Sequence, residues 1–492
     1  MMAGLSRTVF TGGVVAPRTS VLGLFRVSKV AGPVSKCSRV KTLVTSAAQK
    51  NTNTEYVIVG GGNAAGYAAK AFVENGAAEG KVCIVAKENV APYERPALTK
   101  AYLFPVDKSP ARLPGFHTSV GGGGERQTPD WYKEKGIEVL YGTEVTGLDI
   151  DKQSLTTSSG DTISYNKLII ATGCTASRLP EKIGGSLRGV HYIRDVADAD
   201  QLVAALQSAK KVVVIGGGYI GLEVSAAVSA WKLDVTVVFP EQHVMPRLFT
   251  PTIAAHYEEL YKKNNVKIIK EVSVVKLKSG ANGEVDGVEL TDGTTLDADL
   301  VVVGVGARPV VAPFLDAGLK SEAGAIEVDG MFNTSSPGVY AIGDVAAFPL
   351  KIYDRRTRVE HVDHARKSAT HCVESLVKGK TEAYDYLPFF YSRVFEAPGS
   401  ERKVWWQFYG DNVGECVEVG NFDPKYAAFW IESGRVKGVF LESGSAEEFA
   451  LLPKLARQQP AIDIPALKSA DSVETALQIA QEALGKQKVA TV

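Results

Sequence analysis

The chain reads as an α/β protein made of two dinucleotide-binding units, one inserted into the other, with a smaller α+β domain at the end. Three observations predict that class. The first is Lys211 to Glu223, KVVVIGGGYIGLE. Its β-branched run suits a parallel strand buried on both faces, and it leads through Gly216-x-Gly218-x-x-Gly221 into a helix. The second is an earlier copy of the pattern, Tyr56 to Gly66, YVIVGGGNAAG, about 155 residues upstream. The third is that segments able to close the earlier copy return only after the later one, ending in the Gly-Asp pair at 343–344. The repeat is one of structural units and not a solenoid array.

Hydrophobic residues make up 45% and charged residues 22% of the 492-residue chain, ordinary values for globular protein and enough length for about three domains. Acidic and basic side chains balance to a formal net charge of zero. That gives no bulk electrostatic reason to expect nucleic acid or an anionic membrane as partner. No stretch approaches the ~18 consecutive apolar residues of a membrane span. Cys37, Cys83, Cys174, Cys372 and Cys416 are scattered and form no C-x-x-C, which argues against a zinc site or a dithiol centre. Residues 1–54 stand apart. They carry Arg7, Arg18, Arg26, Lys29, Lys36, Arg39, Lys41 and Lys50, many Ser and Thr, and no acid before Glu55. This is the composition of an organelle transit peptide, for chloroplast or mitochondrion.

In the first unit Gly60 and Gly62 make the turn and Ala65 takes the third place, a tolerated variant. The helix that follows should end near Asn75-Gly76. Lys81 to Ala86 reads as the second strand, placing Glu88 where a dinucleotide site keeps an acid for ribose hydroxyls. In Ala91 to Lys100, APYERPALTK, two prolines predict an extended path that carries Arg95 and Lys100 past the phosphate-binding turn. Gly121 to Gly124 mark a loop, and Ile137–Leu140 and Val145–Ile150 read as strands. Tyr165 to Gly173 is a strand ending in ATG, the expected exit from the first unit.

In the second unit the first glycine permits the turn, the second admits a pyrophosphate and the third lets helix and strand pack closely. Free N–H groups and the positive end of the helix dipole then face the phosphates. Leu233 to Phe239 is the next strand, and Glu241 just beyond it is the ribose acid. Asp299 to Pro309 is the returning strand, with Gly304 and Gly306 allowing close approach, and Thr334 to Asp344 is the strand finishing in Gly-Asp. Glu360 to Lys367 opens a helix running towards Val377, its N-terminus a positive end suited to a reduced, negatively charged ring system. Arg366 lies about one turn past Val362 on roughly the same face, within reach of an anionic substrate. His361, Asp363 and His364 make a thin case for a metal, and none is expected. From about 380, aromatic-rich strands at 385–393, 404–410 and 427–432, another at 435–441 and two short helical patterns form the last domain, its aromatics mostly core and Tyr391 an exception. The division is thus 1–54 leader, 55–173 with 305–379 first nucleotide domain, 174–304 inserted nucleotide domain, and 380–492 α+β domain.

Both glycine turns, APYERPALTK, ATG, the Gly-Asp pair, EHVDHARKSA at 360–369 and YDYLPFFYSR at 384–393, followed by WQFYGDNVG, together resemble plant monodehydroascorbate reductases of an organellar form. The resemblance covers essentially the whole chain after residue 54. It implies a two-dinucleotide flavoprotein in which FAD is held by Gly61, Gly62, Asn63, Ala64, Glu88, Arg95, Lys100, Val145, Arg178, Asp344 and Val362. NADH, with NADPH a weaker alternative, would be held by Gly217, Gly218, Tyr219, Ile220, Gly221, Leu222, Glu223, Glu241, Arg247, Gly306, Glu360 and His361. The substrate, the monodehydroascorbate radical, would meet Arg366, with Tyr391 between it and the flavin. Lys100 and Glu223 are expected to pair and poise the flavin, so the catalytic set is Lys100, Glu223 and Tyr391. Two readings share the architecture: a reductase serving ferredoxin or rubredoxin, and an apoptosis-inducing-factor-like NADH sensor. Lys87 before the ribose acid and the longer loop Ala397 to Lys403 depart from the family pattern.

Overall fold

The computed structural model describes residues 49–50, 54–105, 118–119 and 124–489. The basic leader, apart from Gln49, Lys50 and Thr54, lies outside the described residues, as does the glycine run 121–123. The described residues fall within one compact unit.

Five short, apolar strands form the first parallel sheet, in the order Val339–Ala341, Lys167–Ile170, Tyr56–Val59, Val82–Val85 and Glu138–Leu140. Three of them are buried along their whole length or nearly so, as expected when both faces are covered. Helix Asn63–Glu74 packs against helix Val362–Lys378, and small residues on both (Ala64, Ala65, Ala68, Ala69, Ala365, Ala369) let the axes come close. The second parallel sheet has the order Val190–Tyr192, Leu300–Val303, Lys211–Ile215, Asp234–Val238 and Val266–Ile269. The chain leaves the first unit through Cys174–Ala176 and returns through Ala307–Pro309, and these two linker strands pair antiparallel.

The third sheet is antiparallel, ordered Phe389–Val394, Val404–Gly410, Arg435–Glu442, Tyr426–Glu432 and Glu415–Gly420. One face is covered by Ala446–Gln458, Ile464–Lys468 and Val473–Val489. The other, with Trp406, Phe408, Trp430 and Phe440, joins a core shared with Phe249, Tyr257 and Tyr261 of the second unit and Tyr93, Leu98 and Leu103 of the first.

Several local expectations are corrected. The APYERPALTK stretch is extended only to Glu94; Arg95–Thr99 is a 3-10 turn with Pro96 in its first turn, where a missing N–H costs nothing. The strand in the 385–393 region begins only at Phe389. Strand Glu415–Gly420 went unrecognised, and three helices, not two, end the chain.

Candidate active site

Both glycine turns have the geometry of a phosphate cradle. At Gly60 (φ +146°) a Cβ would lie 2.2 Å from Ala171 O, and at Gly216 (φ +122°) one would lie 2.3 Å from Gly304 O. Side chains are excluded there by backbone. A Cβ on Gly221 would strike Gly216 O at 2.0 Å, which is the close helix–strand contact, whereas one on Gly218 would meet nothing within 4 Å. The open side of Gly218 is where a pyrophosphate fits. Helices Asn63–Glu74 and Tyr219–Val228 begin at Gly62 and Gly218 with no side-chain cap, which leaves their first N–H groups for a ligand. Buried Asn63 adds an unpartnered Nδ2 at the first turn, its Oδ1 taking Arg95 N at 3.3 Å. These features fit two dinucleotides. Gly61 and Gly217 back against Ala86 and Phe239 respectively, the last residues of the neighbouring strands or just past them.

Glu88 and Arg95 form an ion pair at 2.5 Å, with Tyr93 OH donating to Glu88 at 2.7 Å. Arg95 also donates to Tyr93 OH and to Arg194 O, both at 2.8 Å. Burial opposes the Arg95 charge, but Tyr93 and Glu88 beside it hold its pKa above the usual value. Its guanidinium lies 3.3 Å from the point where a Gly62 Cβ would sit, over the first phosphate turn. Asp344, in the 3-10 turn Gly343–Val345, pairs with Arg194 at 3.2 Å. Arg178 stacks on the Tyr192 ring at 4.4 Å, and Val145 starts its strand half-buried.

Lys100 Nζ lies 2.6 Å from Glu223 Oε2, both side chains nearly buried. Thr99 Oγ1 donates to the same oxygen at 2.5 Å and Ser392 Oγ to the other at 2.8 Å. Leu222 is buried; Tyr219 stacks on Phe390 at 5.6 Å, and Ile220 is exposed. Glu241 and Arg247 are exposed on the loop after Asp234–Val238, and Gly306 (φ +111°) opens the far side.

A third group gathers at helix Val362–Lys378. Its cap is His361, whose Nδ1 accepts from Asp363 N at 3.3 Å. Burial, reinforced by Arg366, Lys100 and Lys367, pushes the His361 pKa down to about 3, so the ring is neutral at physiological pH. It meets Tyr391 edge-on at 5.6 Å. Arg366 pairs with Glu94, lies over the Tyr67 ring at 5.2 Å and keeps a buried Nε without a partner. Burial opposes its charge, yet Glu94 holds its pKa above normal. Glu360 pairs with Arg358 outside the helix, while His364 turns away to Tyr384 OH at 3.2 Å. No group of three metal-binding side chains occurs among the described residues.

Sequence reasoning missed Tyr67, Tyr93, Glu94, Thr99, Arg194 and Ser392. Three of these stood in the proline-flanked stretch already singled out, and Ser392 in the YDYLPFFYSR stretch; Tyr67 and Arg194 carried no local signal.

Residues 54–369 match the family model for Pyridine nucleotide-disulphide oxidoreductase, and residues 387–476 match that for Monodehydroascorbate reductase 3-like, C-terminal domain. The chain is 66% identical over 452 residues to the chloroplastic/mitochondrial monodehydroascorbate reductase of Arabidopsis thaliana, covering 92% of each chain. It is 66% identical to monodehydroascorbate reductase 5 of Oryza sativa subsp. japonica, named chloroplastic, covering 88% of this chain and 89% of that one. Among solved structures, the putidaredoxin reductase–putidaredoxin complex superimposes with a TM-score of 0.76 at 29% identity, covering 89% of this chain and 99% of that chain. Two glycine cradles, a buried Lys–Glu pair between them and these matches together show that the chain belongs to the pyridine nucleotide-disulphide oxidoreductases and, among them, to the monodehydroascorbate reductases.

Proposed function

We propose that this protein is an FAD-dependent reductase that uses NADH, and less readily NADPH, to return monodehydroascorbate radicals to ascorbate in a chloroplast or mitochondrion. The observation that carries the reading is the Lys100–Glu223 pair, which joins the two nucleotide-binding units at a buried point, while Tyr391 meets the His361 cap of the helix that carries Arg366. Family membership and the organellar names of the relatives support it, as does the basic composition of residues 1–54.

In this reading 55–173 with 305–379 bind FAD, 174–304 bind the nicotinamide cofactor and 380–492 complete the substrate mouth. One NADH and one proton return two radicals to two ascorbates. Bound FAD supplies the change from a two-electron hydride donor to one-electron acceptors. Gly61 to Ala64 and Arg95 hold its pyrophosphate, Glu88 its adenosine ribose, and Asp344 its ribityl chain, with Val145, Arg178 and Val362 completing the contacts. Gly217 to Glu223 and Gly306 hold the nicotinamide cofactor, helped by Arg247, Glu360 and His361, and Glu241 takes its ribose hydroxyls. Lys100, fixed by Glu223, keeps a positive charge where negative charge develops. Arg366 attracts the anionic radical, and Tyr391 walls the path between radical and flavin.

The test is NADH oxidation by the purified yellow protein while ascorbate oxidase generates the radical. Rapid oxidation that stops when the radical source is removed is expected. Flavin that NADH reduces but the radical does not reoxidise would transfer the reading to a protein acceptor, such as the structurally similar putidaredoxin reductase has.

A further inference from the structure

Glu223 is where three distant parts of the chain meet. It lies on the first helix of the second unit; Thr99 and Lys100 come from the first unit, and Ser392 from the edge strand Phe389–Val394 of the third sheet. Both carboxylate oxygens are taken: Oε2 by Lys100 at 2.6 Å and Thr99 at 2.5 Å, Oε1 by Ser392 at 2.8 Å. Ser392 is itself buried, 4% exposed. The cavity beside it, of about 10 Å³, is walled by rings and aliphatic groups including Tyr219, Leu222, Val394 and Trp406. That volume is at or below what one water needs, and Ser392 Oγ is the donor that Glu223 Oε1 has in this structure.

Strand alternation makes the arrangement directional. Tyr391 faces His361, while its neighbour Ser392 faces Glu223 on the opposite side. The hydroxyl therefore serves the carboxylate, and the phenol serves the substrate mouth.

We propose that Ser392 is a positioning residue for the Lys100–Glu223 pair, and through it for hydride transfer from the nicotinamide cofactor, with no part in recognising the radical. The proposal rests on the reductase reading. A carboxylate bonded on both oxygens is held in one rotamer; freed on one side, it can turn from Lys100.

The experiment is anaerobic rapid mixing of NADH with purified holoenzyme, following flavin bleaching. Ser392→Ala is expected to slow bleaching by about tenfold, the effect of losing a hydrogen bond to a charged group. The KM for the radical should stay at the wild-type value. Ser392→Thr, which keeps the hydroxyl, should restore most of the rate. Wild-type bleaching in Ser392→Ala would overturn the proposal. So would slow bleaching that Ser392→Thr does not restore, which would mark a packing effect only. Bleaching is read with NADH alone, so a protein that ignores the radical still answers for Ser392.

Discussion

Glu241 is an exposed carboxylate with no ion-pair partner among the described residues, just past the end of strand Asp234–Val238. A 2′-phosphate there would face a like charge. Glu241→Gln should therefore raise kcat/KM for NADPH relative to NADH by about tenfold, and steady-state kinetics with each cofactor will show it. Arg366 differs, because Glu94 already holds one edge of its guanidinium. In the proposed reading the remaining edge meets the radical. Arg366→Ala should raise the KM for the radical by about tenfold or more while NADH bleaches the flavin at the normal rate. Slow bleaching would assign Arg366 to the flavin instead. Residues inside motifs, such as Gly218 and Glu241, could be placed from spacing, since one turn and one strand set their positions. Glu94 and Ser392 could not, because their partners lie 272 and 169 positions away in the chain.

At the scale of elements, the loop between strand Asp234–Val238 and helix Pro251–Lys263 carries both Glu241 and Arg247 and is held by Glu258 of that helix. Glu258 accepts from Val244 N at 3.3 Å, contacts His243 Nδ1 at 3.2 Å and pairs with Lys270 at 2.8 Å. Burial works against its charge, but the bonds from Lys270, His243 and Val244 bring its pKa below the ordinary glutamate range. Glu258→Ala should free the loop, raising the KM for NADH severalfold with little change in kcat. Kinetics at saturating radical will separate the two. The parallel strands were legible because continuous apolar runs and glycine turns announce them. The small strand Val274–Ser279 buries little more than Leu277, and Glu415–Gly420 alternates over only a few residues, so neither gave a strong period. The turn Arg95–Thr99 was misread because proline fixes φ without choosing between extended and 3-10 backbone.

For the whole molecule, the decisive feature is the core that runs from Tyr93 and Leu98 through Tyr257 and Tyr261 to Trp406 and Phe440. Beside it, fully buried Glu442 accepts from Tyr257 OH at 2.7 Å and pairs with Arg402 at 2.8 Å, which ties the 397–403 loop down. Arg402→Ala would leave that carboxylate without its countercharge and should cost about 3 kcal/mol, read as a lower midpoint in urea. The first two units were legible as separate modules because each carries its own fingerprint. That they share a core with the third was not, since aromatic residues declare burial but not what they are buried against. The paired linkers Cys174–Ala176 and Ala307–Pro309 add a consequence for proteolysis. A protease that nicks one of them leaves its partner strand in place, and a double cut still leaves the excised piece gripped by the common core. The nicked protein should elute from a sizing column as the intact particle and come apart only in denaturant.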